Sequence, residues 1–100
     1  MIARMWKGRT RSADVEAYRA YVRATGLAEY RSTPGNRGAW MLTTVDGDEA
    51  EIVTISLWES REAIAAFAGN DISVARFYPE DAHYLVAADA HAVHYDVDVA

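Results

Sequence analysis

The chain has 100 residues, room for one domain over positions 1–100 with a small core, so burial against a second copy would help it. Its 51% apolar and 25% charged residues mark a folded, water-compatible chain, and a net charge of −5 argues against nucleic acid as a partner. It has no cysteine, which excludes disulfides, thiolate metal sites and cysteine nucleophiles; no apolar run reaches membrane-spanning length and no secretory leader is visible, so the expected location is cytoplasmic with no membrane partner.

Residues 2–10 read as a first strand, bounded by Gly8 and "TRS"; the basic residues Arg4 to Arg11 fit a solvated strand end. Ser12 is placed as a helix N-cap, with Asp14 and Glu16 in the first turn. Val15, Tyr18, Val22 and Thr25 recur at helical spacing, which predicts a helix over 13–25; Gly26 weakens it, and a further turn over 27–31 follows. "TPGN" at 33–36 is a turn. Two β-branched and aromatic runs, 37–45 and 50–58, flank Asp46-Gly47, the signature of a type I′ hairpin. Ser60 caps a short helix that ends at Gly69 or Asn70. A second helical piece over 71–78 stops at Pro79, and alternation from Val93 to Val99 predicts one last strand. The order β-α-β-β-α-β defines an α+β fold, a ferredoxin-like antiparallel sheet with helices on one face. The strand over 50–58 is apolar on both sides, so the second face also needs a cover, and a second sheet in a two-fold homodimer supplies it.

All three histidines lie between His83 and His94, which raises the question of a metal. His91 and His94 are an odd number of positions apart and point to opposite sides of one strand, so they cannot converge on an ion. No metal is expected; they read as polar residues of an edge strand. Glu80 and Asp81 read as loop-solvating residues after Pro79, while His83 or Asp81 is placed to act as a base at a cavity mouth.

The tryptophans can all be core. Yet Arg4 and Trp6 share one parity in their strand, and Thr54, Ser56 and Trp58 share one in theirs. If the strands pair so that these sets coincide, one face carries aromatics among Arg, Thr and Ser, the make-up of a small-molecule pocket. Tyr18, Tyr21 and Phe67 are placed to close it from the helices, and Trp40 and Phe77 complete the aromatic set. No nucleophile elbow, phosphate loop or carboxylate dyad is present.

Together with the length and the element order, the segment "TISLWESREAIAAFAGNDISVARF" over 54–77 resembles the antibiotic biosynthesis monooxygenase (ABM) superfamily of dimeric α+β barrel proteins. The resemblance spans the chain. It implies a homodimer with a small-molecule cavity in each subunit, and oxygen chemistry without metal, flavin or other cofactor on an aromatic or quinone-type metabolite. Arg4 would then stabilise the substrate anion, with His83 as the base. A non-catalytic, dimeric small-molecule-binding module is the alternative. The heme-degrading branch carries a tryptophan and a ligating histidine where this chain has Phe67 and Phe77, and an asparagine near the position of Arg4. Phenylalanine cannot ligate iron, so heme degradation is not expected. The asparagine that other members use has no clear counterpart here, since Asn36 falls in a turn and Asn70 at a helix end.

Overall fold

Ile2–Arg11 forms β1, which pairs with three other strands and organises the molecule. The computed structural model describes residues 1–100. The sheet is antiparallel, with β2 (Asn36–Asp46), β3 (Glu49–Trp58), β1 and β4 (Leu85–Ala88) in that spatial order. β5 (Val93–Asp96) also pairs with β1. β4 lies against Gly8–Thr10 and β5 against Ile2–Met5, so the fourth position of the ferredoxin-like sheet is filled in two pieces. The alternation from Val93 to Val99 predicted one last strand, which stops at Asp96; Leu85–Ala88 was not predicted as a strand, and residues 90–92 separate the two pieces because they pair elsewhere.

Their partner is the segment 69–80, which is an extended strap and not the helix predicted for 71–78. Its amides find acceptors outside any helix. Ala75 N–H donates to Ala90 O at 3.0 Å, and Ala92 N–H donates to Ser73 O at 2.8 Å. Helix resumes only after Pro79, as the single turn α4 (Asp81–Tyr84).

The first helical region begins with a 3₁₀ turn over Ser12–Asp14, in which Ser12 makes no side-chain cap, contrary to its expected role. It continues as α1 (Val15–Val22), a wide π turn (Arg23–Leu27) and α2 (Ala28–Ser32). Gly26 therefore sits inside a continuous helical path and does not end it. Val15, Tyr18 and Val22 are buried, and the next buried residue is Tyr30. α3 (Arg61–Ala68) starts as expected: Ser60 Oγ accepts from Ala63 N–H at 3.1 Å, a cap that contributes about 1 kcal/mol. It ends at Gly69, whose φ of +92° favours glycine. The hairpin turn differs from expectation by one residue. Asp46 pairs with Glu49, and the two turn residues are Gly47, with φ +63°, and Asp48, whose φ is not positive. That is the φ pattern of a type II′ turn, not I′.

The β1–β3 register brings the two even-numbered sets together: Arg4 faces Ser56, Trp6 faces Thr54 and Ile2 faces Trp58. This side is covered by the helices. Val15, Tyr18 and Val22 pack with Ala50 and Ile52, while Tyr30, Ile64 and Phe67 pack with Trp58. On β2, Trp40 opposes Ile55 and Leu42 opposes Val53, so both belong to the other side. That side has no covering helix. Trp40, Leu42, Val93 and Tyr95 are each about half exposed there, beside Met5, Ile55 and Leu57.

Candidate active site

A narrow cavity of about 40 Å³, open to solvent at its mouth, lies between the sheet and the helical layer. Arg4, Trp6 and Thr54 form its floor. Tyr18 and Val22 of α1, Thr25 and Gly26 of the π turn, Tyr30 and Phe67 wall it. The strap covers it with Ala75, Arg76 and Tyr78, and Asp81 closes one side. A π turn widens the helix locally, and such turns occur often at functional sites. Here the wide turn is itself a wall.

Arg4 is 1% exposed. Its Nη1 donates to the carbonyl of Ile72 and meets His94 Nε2 at 3.0 Å, and its Nη2 donates to Val74 O at 3.2 Å. Its Nε is buried and has no partner. It enters none of the ion pairs of the molecule. Guanidinium groups only donate, so His94 Nε2 must be the acceptor, and His94 is neutral with its proton on Nδ1. Burial, then Arg4, then Arg61 lower the His94 pKa below its usual value. As pH falls, the unfolded chain therefore takes this proton before the folded chain does. The stability that depends on neutral His94 is complete above about pH 6.5 and is lost as pH falls through the lower folded value. Thermal melts should show the melting temperature dropping from about pH 7.5 to about pH 5. His94→Gln keeps an acceptor for Arg4 but cannot titrate, and should flatten that part of the profile.

Asp81 is 6% exposed and likewise has no cationic partner. Its Oδ1 accepts from the Tyr18 hydroxyl at 3.0 Å, and its Oδ2 accepts from Tyr78 N–H at 2.6 Å. Burial, then the charge of Asp81, then their hydrogen bond push the Tyr18 pKa far up, so its hydroxyl stays protonated. Arg76 is different from Arg4, because Glu29 neutralises it at 2.8 Å. The same carboxylate takes the Tyr78 hydroxyl. Arg76 also lies over the rings of Phe67 and Tyr78.

Trp6 is fixed in place. Its Nε1–H donates to Asp89 O at 2.8 Å, and Phe77 meets its ring edge-on at 6.1 Å. A Cβ on Gly8 would lie 2.6 Å from the Trp6 ring, so glycine is what lets the indole lie flat along the strand.

Of the residues singled out from sequence, Arg4, Trp6, Tyr18, Thr54, Phe67 and Asp81 line this cavity. The others do not. Ser56 and Trp58 share the face but are closed off: the Trp58 indole N–H donates to Ser56 Oγ at 2.8 Å, and both are fully buried. Trp40 is on the opposite side of the sheet. Phe77 touches the cavity only through Trp6 and is half exposed. His83 is exposed on α4 against Tyr84 and reaches no lining residue. Asp81, read from sequence either as a loop-solvating residue or as a base at the cavity mouth, is buried at the cavity, where Tyr18, 63 positions away, satisfies it. The sequence reading passed over Tyr78, Arg76 and Tyr30; the adjoining "ARF" and "YPED" segments hold the first two, and Tyr30 is the buried residue of α2.

No family model and no curated protein matches the chain. Solved structures do. A candidate antibiotic biosynthesis monooxygenase from Nitrosomonas europaea superposes with a TM-score of 0.69 at 16% identity, over 97% of this chain and 98% of that one. Another from Bacillus cereus gives 0.65 at 16% identity, over 99% and 94%. The chain has the antibiotic biosynthesis monooxygenase fold. The heme-degrader MhuD from Mycobacterium tuberculosis, solved with two hemes in its active site, shares this ABM fold with a TM-score of 0.58 and 23% identity over 100% of both chains. The cavity of the present ABM fold does not fit heme. None of its lining residues is histidine or cysteine, its Tyr18 and Tyr78 hydroxyls are held by carboxylates, and the nearest histidine, His94, spends Nε2 on Arg4. No three acidic or histidine side chains converge on a possible metal position. No helix is long and apolar enough to cross a membrane.

Proposed function

We propose that the chain is a cofactor-independent monooxygenase for a small aromatic or quinone-type metabolite, working in the cytoplasm as a homodimer. The observation that carries this is Arg4, a buried guanidinium without a carboxylate partner, facing a cavity walled by Trp6, Tyr18, Tyr30 and Phe67. An isolated cation in such surroundings favours the anion of a bound phenol or enol over the neutral acid. The aromatic walls hold a planar ring and keep water from the anion. The anion is the species that reduces dioxygen directly. For an anthrone-type substrate the ring CH₂ becomes C=O, with one oxygen atom retained and the other leaving as water. Oxygen uptake with an anthrone, yielding the quinone with one atom from dioxygen and water from the other, is the test; no uptake above the spontaneous rate with any of a panel of such compounds removes the proposal.

The alternative is a dimeric small-molecule-binding module without catalysis. It is favoured by the engagement of the one lining carboxylate, Asp81, and of the Tyr78 hydroxyl in internal hydrogen bonds. Saturable binding of a phenol without oxygen uptake would select it.

Heme is not the ligand in this reading. Titration with hemin should produce no sharp, stoichiometric Soret band of a histidine-ligated heme, because Phe67 and Phe77 provide no axial ligand.

The homodimer is supported by the uncovered side of the sheet. Met5, Trp40, Leu42, Ile55, Leu57, Val93 and Tyr95 form an apolar surface of the kind that marks an interaction site. A two-fold axis lets the same surface cover itself.

A further inference from the structure

We infer that this site takes its substrate as a neutral phenol or enol and ionises it internally, Tyr18 relaying the proton to Asp81 while the new oxyanion falls to Arg4. The inference rests on reading the cavity as a site for phenols and enols, and it names the proton acceptor and the charge state of what enters.

The cavity holds two buried charges of opposite sign that are not paired with each other. Arg4 has carbonyls and a neutral imidazole around it but no anion, and Asp81 has two donors but no cation. The remaining charges at the cavity, Arg76 and Glu29, neutralise one another. Leaving two ions unpaired in a shielded space is costly, and a bound group that connects them removes the cost. A carboxylate ligand would satisfy Arg4 and leave Asp81 facing another negative charge. A cationic ligand would do the reverse. A neutral hydroxyl compound suits both, because its proton can go to one end and its charge to the other.

The transfer is balanced. The substrate O–H gives its proton to the Tyr18 oxygen as the Tyr18 proton passes to Asp81 Oδ1, across the existing 3.0 Å hydrogen bond. Tyr18 begins and ends as a neutral phenol. Asp81 becomes a carboxylic acid, and the substrate becomes an anion next to Arg4. No net charge enters the cavity and no proton goes to water. The elevated Tyr18 pKa agrees with a hydroxyl that passes a proton on without itself remaining ionised. One Arg4 donor, the buried Nε, has no partner in the protein.

A nitrophenol whose ionised form absorbs visible light is the probe, used at a pH about one unit below its own pKa. Bound to the wild type it should show the phenolate band, with at least about a tenfold excess of phenolate over the free probe. Calorimetry in two buffers of different ionisation enthalpy should find no proton released on binding. Tyr18→Phe keeps the ring and its packing, and should bind the probe in its neutral form. Asp81→Asn should do the same, or ionise it only with release of one proton to the buffer. The inference is overturned if the probe does not bind, if it keeps its solution spectrum, if the wild type releases a proton, or if Tyr18→Phe ionises it as the wild type does. Oxygen uptake is a separate readout. Ionisation without oxygen uptake would retire the oxygenase and leave the proton transfer standing. Oxygen uptake undiminished in Tyr18→Phe would do the opposite.

Discussion

Arg4→Ala should lower oxygen uptake with an anthrone by about 10²–10³-fold, the usual effect of removing a group that stabilises a developing oxyanion. Arg4 is the one buried cation at the cavity that no carboxylate already occupies, so nothing else there can take over. The same substitution has a structural cost. It leaves the carbonyls of Ile72 and Val74 without their donor, and each unmet buried acceptor costs about 1–3 kcal/mol unless water reaches it. Hydrogen exchange should therefore quicken in the strap around 72–75, while the ten-residue pairing of β1 with β3 keeps the sheet intact. The two effects are separable by adding guanidinium to the Arg4→Ala protein. If the side chain acts through its charge, the free cation enters the vacated space and restores part of the oxygen uptake. Activity unchanged in Arg4→Ala would leave Arg4 as a pin for the strap and nothing more.

Leu42→Glu should turn the proposed dimer into a monomer. The wild type is expected to sediment at micromolar concentration as one species near twice the chain mass. Leu42 is 50% exposed in the single chain, so a carboxylate there is tolerated by the monomer. In a sheet-to-sheet dimer it would be enclosed among Trp40, Val53 and their copies. The two-fold axis places the substitution on both sides of the interface, and each unpaired buried carboxylate costs several kcal/mol. Dissociation should strengthen by at least about 10²-fold, at one decade per 1.4 kcal/mol. A wild type that sediments as a clean monomer at the same concentration would leave the apolar side of the sheet without this explanation.

What the sequence made legible was whatever depends on local pattern. The parity of Arg4 and Trp6 against Thr54 and Ser56 put these residues on one face because alternation and register obey simple geometry. Ser60 and Gly69 bounded α3 because caps are local too. The losses came where the partner is far along the chain. The run from Ile72 to Phe77 looks helical in isolation, yet its hydrogen bonds go to residues 90–92 and to the Arg4 guanidinium. Asp81 looks like a loop carboxylate until Tyr18 is seen against it. Trp58 and Ser56 have the right parity for the cavity, but they satisfy each other and leave nothing for a ligand. Parity gives a face; it does not say which part of that face stays open.

The π turn at 23–27 has a consequence for how this chain tolerates change in length. In a regular helix the residue seven positions after Val22 would return to its face, and that residue is Glu29. Tyr30 arrives there instead, one position late, because the wide turn absorbs one residue. Glu29 is thereby shifted to the cavity rim, where it meets Tyr78 and Arg76. The helix is equivalent to an ordinary one carrying a single-residue insertion. Deleting Gly26 should restore regular winding and keep the tyrosine against Trp58 and Phe67, while the Thr25 wall draws inward. Such a shortened protein would melt at about the wild-type temperature and have no room for a ligand. A one-codon change in length would thus separate a working site from an empty scaffold, and close relatives that lack this residue would be expected to keep the architecture and do something else.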